Sequence, residues 1–175
     1  RCLVALKAQD YPKDEYEILA VDNNSTDESP AILARTPGIR ALSESAPGSY
    51  AARNHAVRES RGEVLAFTDS DCLPSPGWLR AIDRALQNPA VDVVLGCRRP
   101  AREVGLVRLL ADYENRKDAF VFASNASRSY YGYTNNMAAR RATVERFGPF
   151  VERQRGSDTI FVRRVVDGLG CEAVV

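Results

Sequence analysis

Two spacings of apolar residues alternate along this chain. Compact apolar runs occupy residues 17–21 (EILAV), 39–42, 63–68, 91–96 and 171–175, the pattern of buried strands. Between them apolar residues recur at helical spacing over 1–9, 49–60, 103–122 and 158–169. Two further helices are framed by their end signals. Ser25 and Glu28 make an S-x-x-E capping box, which predicts a helix running to about Arg35. Pro76 suits the first turn of a helix that stops near Asn88-Pro89. Residues 137–147 are expected to form one more helix, ended by Gly148-Pro149. Residues 22–26 (DNNST), Thr36-Pro37-Gly38 and Pro47-Gly48 are turn chemistry. Residues 123–133 are polar and aromatic and read as a loop or short strands, and 153–156 as a loop.

The β-α-β-α rhythm predicts an α/β fold, with a mainly parallel sheet and helices on both faces. In such sheets ligands sit beyond the carboxyl ends of the strands. Asp22, Asp69 and Asp71 fall at those ends.

A length of 175 residues favours one domain. A net charge of +1 gives no support for nucleic-acid binding. No apolar run approaches the roughly 20 residues of a membrane span. Cys2, Cys72, Cys97 and Cys171 lack metal-ligand spacing and read as reduced thiols of a cytosolic protein. His55 is the single histidine, which argues against a histidine-rich metal site and a Ser-His-Asp triad built on another histidine. Its place in ARNHAVRES suits a structural or surface role.

The segment FTDSDCLPSPGWL poses the chemical question. In extended backbone Asp69 and Asp71 point the same way, roughly 7 Å apart. Two such charges repel by about 2 kcal/mol at an effective dielectric of about 20. A divalent cation reverses that sign, and hard oxygen ligands suit Mg²⁺ or Mn²⁺ held together with substrate phosphates. The plainer reading is that the pair caps the next helix or faces solvent.

VDNNSTDES, GSYAARNHAVRESRGEVLAFTDSDCLPSPGWL and GSDTIFVRRVVDGLG, in that order, resemble the family-2 glycosyltransferases of GT-A fold, a nucleotide-sugar-binding, Rossmann-like architecture. The resemblance implies sugar transfer from a nucleotide-diphosphate-sugar donor to an acceptor hydroxyl, inversion at the anomeric carbon, and a bound Mg²⁺ or Mn²⁺. It implies a nucleotide-binding half at 1–100 and an acceptor-side half at 101–175. By carry-over, Asp22 contacts the base and Arg53, in AARN, supports the base pocket or the diphosphate; the alternative for Arg53 is a structural ion pair with one of the aspartates. Asp71 is the direct metal ligand. Asp69 faces the ribose or reaches the metal through water, and small Ser70 lets the backbone approach the nucleotide. Asp158 matches the acid that serves as general base. Asn135 and Asn136 border the donor sugar or, alternatively, shape their loop. Trp78 reads as a packing residue, Ser25 and Thr26 as caps, and Arg153 and Arg155 as solvated or phosphate-steering. The chain departs from the family pattern at Ala46, where an Asn is usual, and at Ser157, where a Glu is usual.

The expected partners are a nucleotide-sugar, UDP being the default base by family frequency, and a carbohydrate or lipid-linked acceptor. No nucleic acid is expected. The expected location is cytoplasmic, at the inner face of the membrane if the acceptor is a lipid. The family's opening strand is missing before Arg1, so further residues are expected there. Two other classes stay open at this point: a non-catalytic sugar-nucleotide-binding module, and a nucleotidyltransferase, which releases pyrophosphate.

Overall fold

The computed structural model describes residues 1–98, 105–123, 132–152 and 155–175. Helices and strands alternate as α1 (Cys2–Lys7), β1 (Leu19–Asp22), α2 (Ser29–Arg35), β2 (Arg40–Ser43), α3 (Ser49–Glu59), β3 (Val64–Thr68), α4 (Trp78–Leu86) and β4 (Val93–Leu95). Then come α5 (Gly105–Ala123), β5 (Asn136–Arg140), α6 (Arg141–Phe147), α7 (Ser157–Leu169) and a 3-10 turn at Cys171–Ala173. The chain is α/β, as its rhythm predicts.

β1 and β2 pair in parallel. β3 and β4 run the same way, with β5 antiparallel between them. That central strand corrects the expectation of one helix over 137–147. Only 141–147 is helical. Met137, Ala138 and Ala139 are each at most 1% exposed, so the strand is buried on both faces and shows no alternation. A short Met-Ala-Ala run has good helix propensity, and two flanking ladders override it.

The two-residue period decides which face each β5 side chain joins. Met137 and Ala139 enter one core with Leu65 and Phe67 of β3, Tyr50 of α3, Val144 of α6 and Phe161, Val162 and Val165 of α7. Ala138 enters the opposite core with Ile82 and Leu86 of α4. Helices therefore cover both faces.

Two smaller expectations also change. The capping box does not form, and the helix begins at Ser29 with Pro30 in its first turn. Asp27 accepts from the Ser29 N–H at 2.9 Å and does the local capping instead. Residues 171–175 are not a full strand. A 3-10 turn precedes one parallel bridge, Val174 to Val93. The expected loops at 123–133 and 153–156 lie largely outside the described residues.

Asn54 of α3, 3% exposed, clamps the chain after α6. Its amide donates to the Phe150 carbonyl at 2.8 Å and accepts from the Phe150 N–H at 2.9 Å. Phe150 in turn stacks edge-on against Phe67 and Phe161, centroids 5.4 Å away in both cases. Asn54→Ala leaves both backbone groups buried without partners. The expected cost is about 2 kcal/mol, or roughly 4–8 °C in Tm for a chain this size. Thermal unfolding checks it; an unchanged Tm refutes the clamp.

Candidate active site

β3 ends at Thr68, one residue before the paired acids. Asp69 starts a turn closed by the Cys72 N–H on the Asp69 carbonyl at 3.0 Å. The two carboxylates are thus carried on a turn, which corrects the expectation of an extended backbone. The reason lies in Pro74 and Pro76, which together with the turn lead the chain away from the sheet into α4. The Cys2 thiol also reaches the Asp69 carbonyl, at 3.4 Å, and so ties α1 to this turn.

Asp69 is ion-paired with Arg53 of α3 at 2.5 Å. The guanidinium carbon of Arg53 stands 5.3 Å from the Tyr50 ring centroid, a cation–π distance. One turn earlier on the same helix face, the Tyr50 hydroxyl donates to Asp158 Oδ1 at 3.1 Å. Burial, with the Asp158 charge, pushes the Tyr50 phenol up, so it stays protonated as a donor at neutral pH.

Asp158 is the second residue of α7, where a carboxylate complements the helix dipole. Gly156 precedes it at φ 81°, a left-handed conformation that Gly adopts without strain. Oδ1 of Asp158 also accepts from the Thr159 N–H at 2.9 Å, and Oδ2 from the Thr134 N–H at 3.2 Å. Gly132 packs on the Asp158 backbone so tightly that a Cβ there would stand 2.6 Å from the Asp158 carbonyl.

These groups line one cavity of about 210 Å³, with Ser49, Tyr50, Arg53, Asp69, Tyr133, Thr134, Asn135 and Asp158 around it. The Asn135 Oδ1 is buried with no partner, a polar atom awaiting one. Asn136 does not line it. Its amide accepts from the Trp78 indole at 2.8 Å and donates to the Cys97 carbonyl at 2.9 Å. With both ends engaged by protein, Asn136 ties β5 to α4 and to the chain at Cys97. Trp78 packs as expected.

A larger cavity of about 970 Å³ lies between β1 and β3. It is lined by apolar residues such as Leu19, Val21, Leu65 and Ile82 and by polar and charged ones that include Arg53, Asp69, Ser70 and Asp71. Asp22 lines neither cavity. It sits at the end of β1 with Oδ1 buried and unpartnered. The neighbouring Asn23 fixes the loop: its amide donates to the Glu44 and Ala46 carbonyls and accepts from the Gly48 N–H, all within 2.8 Å. Asn23 holds Ala46 by its backbone, so the missing Asn side chain there leaves the loop anchored. His55 lies 3.3 Å from Glu44 on the same loop, a structural position.

Among the described residues no group of three or more His, Cys, Asp or Glu is assembled to hold a metal. The donor set nonetheless fits a divalent ion completed by phosphate oxygens. Asp71 is exposed, and among the described residues no Lys or Arg pairs with it. Asp69 has one oxygen on Arg53 and its side chain is 38% exposed. Arg153 lies outside the described residues, and Arg155 is exposed.

An α/β domain with acids gathered at strand ends belongs to the class that binds ligands at that edge. The particular family follows from comparison: the chain belongs to glycosyl transferase family 2, whose family model matches residues 1–148. It is 31% identical over 176 residues to glycosyltransferase AglE of Haloferax volcanii, covering 95% of this chain and 56% of that protein. It is 36% identical over 104 residues to a poly(ribitol-phosphate) beta-glucosyltransferase of Bacillus spizizenii, covering 54% of this chain and 16% of that one. Among solved structures, a Pyrobaculum calidifontis mannosyltransferase in complex with GDP-Man and Mn²⁺ superposes with a TM-score of 0.74 at 25% identity, over 99% of this chain and 49% of that one. Staphylococcus aureus TarS in complex with UDP-GlcNAc gives a TM-score of 0.67 at 20% identity, over 99% and 50%. The fold is of GT-A type, as the motifs implied. The chain spans about half the length of the relatives it matches along its full extent.

Tyr50 and Asn54 were missed by sequence reasoning. A faint signal exists: Tyr50, Arg53 and Asn54 stand at i, i+3 and i+4, one face of α3. The Thr134 N–H leaves no sequence signal at all.

Proposed function

We propose that this domain transfers a sugar from a nucleotide-diphosphate-sugar to an acceptor hydroxyl with inversion, and depends on Mg²⁺ or Mn²⁺. One observation carries the reading. A hydrogen-bonded carboxylate from α7, Asp158, shares a small cavity with Arg53 and Asp69, which come from positions more than eighty residues earlier in the chain. A carboxylate near a cationic and acidic edge supports this reading, because an inverting displacement needs a base close to the donor.

In this reading Asp158 accepts the acceptor hydroxyl's proton as it attacks. Arg53 supports the diphosphate or the base pocket, Ser70 leaves room for the nucleotide, and Asn135 offers its unpartnered oxygen to a sugar hydroxyl. Asp22, at the end of β1, contacts the base or ribose. Asp71, with Asp69, would hold the divalent ion, which supplies charge stabilisation on the leaving diphosphate. The relatives' donors differ, GDP-Man in one structure and UDP-GlcNAc in another, so the base and sugar are matters for a screen. Among the described residues no helix is long and apolar enough to cross a membrane. A lipid-linked acceptor would be met by peripheral attachment.

The test is a screen of UDP- and GDP-sugars by thermal shift, with and without Mn²⁺, followed by product analysis. A donor at about 100 times its Kd should add about 2.7 kcal/mol of apparent stability, and turnover should release the nucleoside diphosphate. Release of pyrophosphate instead would mark a nucleotidyltransferase. Binding without turnover across a broad acceptor panel would mark a binding module.

A further inference from the structure

Resting on the reading of Asp158 as the base, the geometry points to Tyr50 as its positioning residue. The carboxylate offers about two lone-pair directions on each oxygen. On Oδ1 both are taken, by the Tyr50 hydroxyl at 3.1 Å and the Thr159 N–H at 2.9 Å. On Oδ2 the Thr134 N–H takes one, at 3.2 Å. Among the described residues nothing takes the other. Oδ2 is therefore the oxygen that receives the acceptor's proton, and the Tyr50 bond, with the two backbone N–H bonds, holds the plane of the carboxylate in place.

Tyr50 is well built for this. It is 6% exposed and tilted against Phe150 at a 6.0 Å centroid distance, so the ring cannot swing away. Its face carries the Arg53 guanidinium, which pairs with Asp69. One side chain thus fixes the base through its hydroxyl and the donor edge through its ring. One rigid residue thus touches both sides of the site, and small misplacements there are costly.

Tyr50→Phe separates the two roles, since it removes the hydroxyl and keeps the ring. The readout is nucleoside diphosphate release from UDP-N-acetylglucosamine and GDP-mannose, with water and a panel of sugar acceptors. We expect kcat to fall about tenfold while the donor KM, and the thermal shift given by donor plus Mn²⁺, stay within twofold of wild type. In an Asp158→Asn background, Tyr50→Phe should add nothing, because a positioning bond has no use without its base. If Asp158→Asn silences release and Tyr50→Phe keeps the wild-type kcat, the positioning role is wrong and the base survives. A Tyr50→Phe variant that raises donor KM and lowers kcat alike acts on binding, which also overturns it. If Asp158→Asn keeps wild-type release, or wild type releases nothing from any donor, the reading of the base falls and this inference falls with it.

Discussion

Asp158→Asn is expected to lower sugar transfer by about two to four orders of magnitude, the usual worth of a positioned general base. The substitution keeps shape and removes the proton-accepting charge. Oδ1 can be matched by the amide oxygen, so the bonds from Tyr50 and the Thr159 N–H survive. The amide NH₂ then faces the Thr134 N–H, donor against donor, and cannot take a proton from an attacking hydroxyl. Donor binding should change little, because Arg53, Asp69 and Asp71 are untouched. Single-turnover transfer and the thermal shift with donor plus Mn²⁺, measured side by side, check both halves. Full transfer by the variant would remove Asp158 from the chemistry.

Asp71→Ala has the next largest expected effect, a loss of transfer of about a hundredfold or more. A divalent ion contributes several kcal/mol of charge stabilisation on a leaving diphosphate, and about 1.4 kcal/mol is a factor of ten. The structure makes Asp71 the stronger of the two candidates. It is exposed with no cationic partner among the described residues, whereas Asp69 already neutralises Arg53. Removing Asp69 should instead unbind Arg53 and weaken the donor site. Calorimetry of Mn²⁺ in the presence of nucleoside diphosphate reads the ion directly. Asp71→Ala should abolish that heat, and a wild-type isotherm would exclude Asp71 as a ligand.

Where local chemistry and tertiary demand agree, the chain was legible. β1, β3 and β4 are short apolar runs ended by turn residues, and α7 shows its buried stripe of Phe161, Val162, Val165 and Val166 plainly. The acids at strand ends followed from the same periodicity, and the family followed from motif order. β5 was unreadable because its neighbours, rather than its own pattern, make it a strand. The turn at Asp69–Cys72 was misjudged as extended backbone because a ladder partner's end cannot be seen in a linear sequence. The bonds of Asn136 were hidden for a similar reason: in a linear sequence nothing shows that one amide ties Trp78 to the chain at Cys97.

By itself, then, the sequence determined the α/β class, the places of most helices and strands, and the acids at the strand ends, because apolar period and turn residues are local properties. Only the tertiary structure decided that Tyr50 and the Thr134 N–H hold Asp158, that Arg53 belongs to Asp69, and that Asn136 bonds Trp78 and Cys97. Those are contacts across tens of residues. They are fixed by which helix face meets which strand end, a quantity no spacing within one segment encodes.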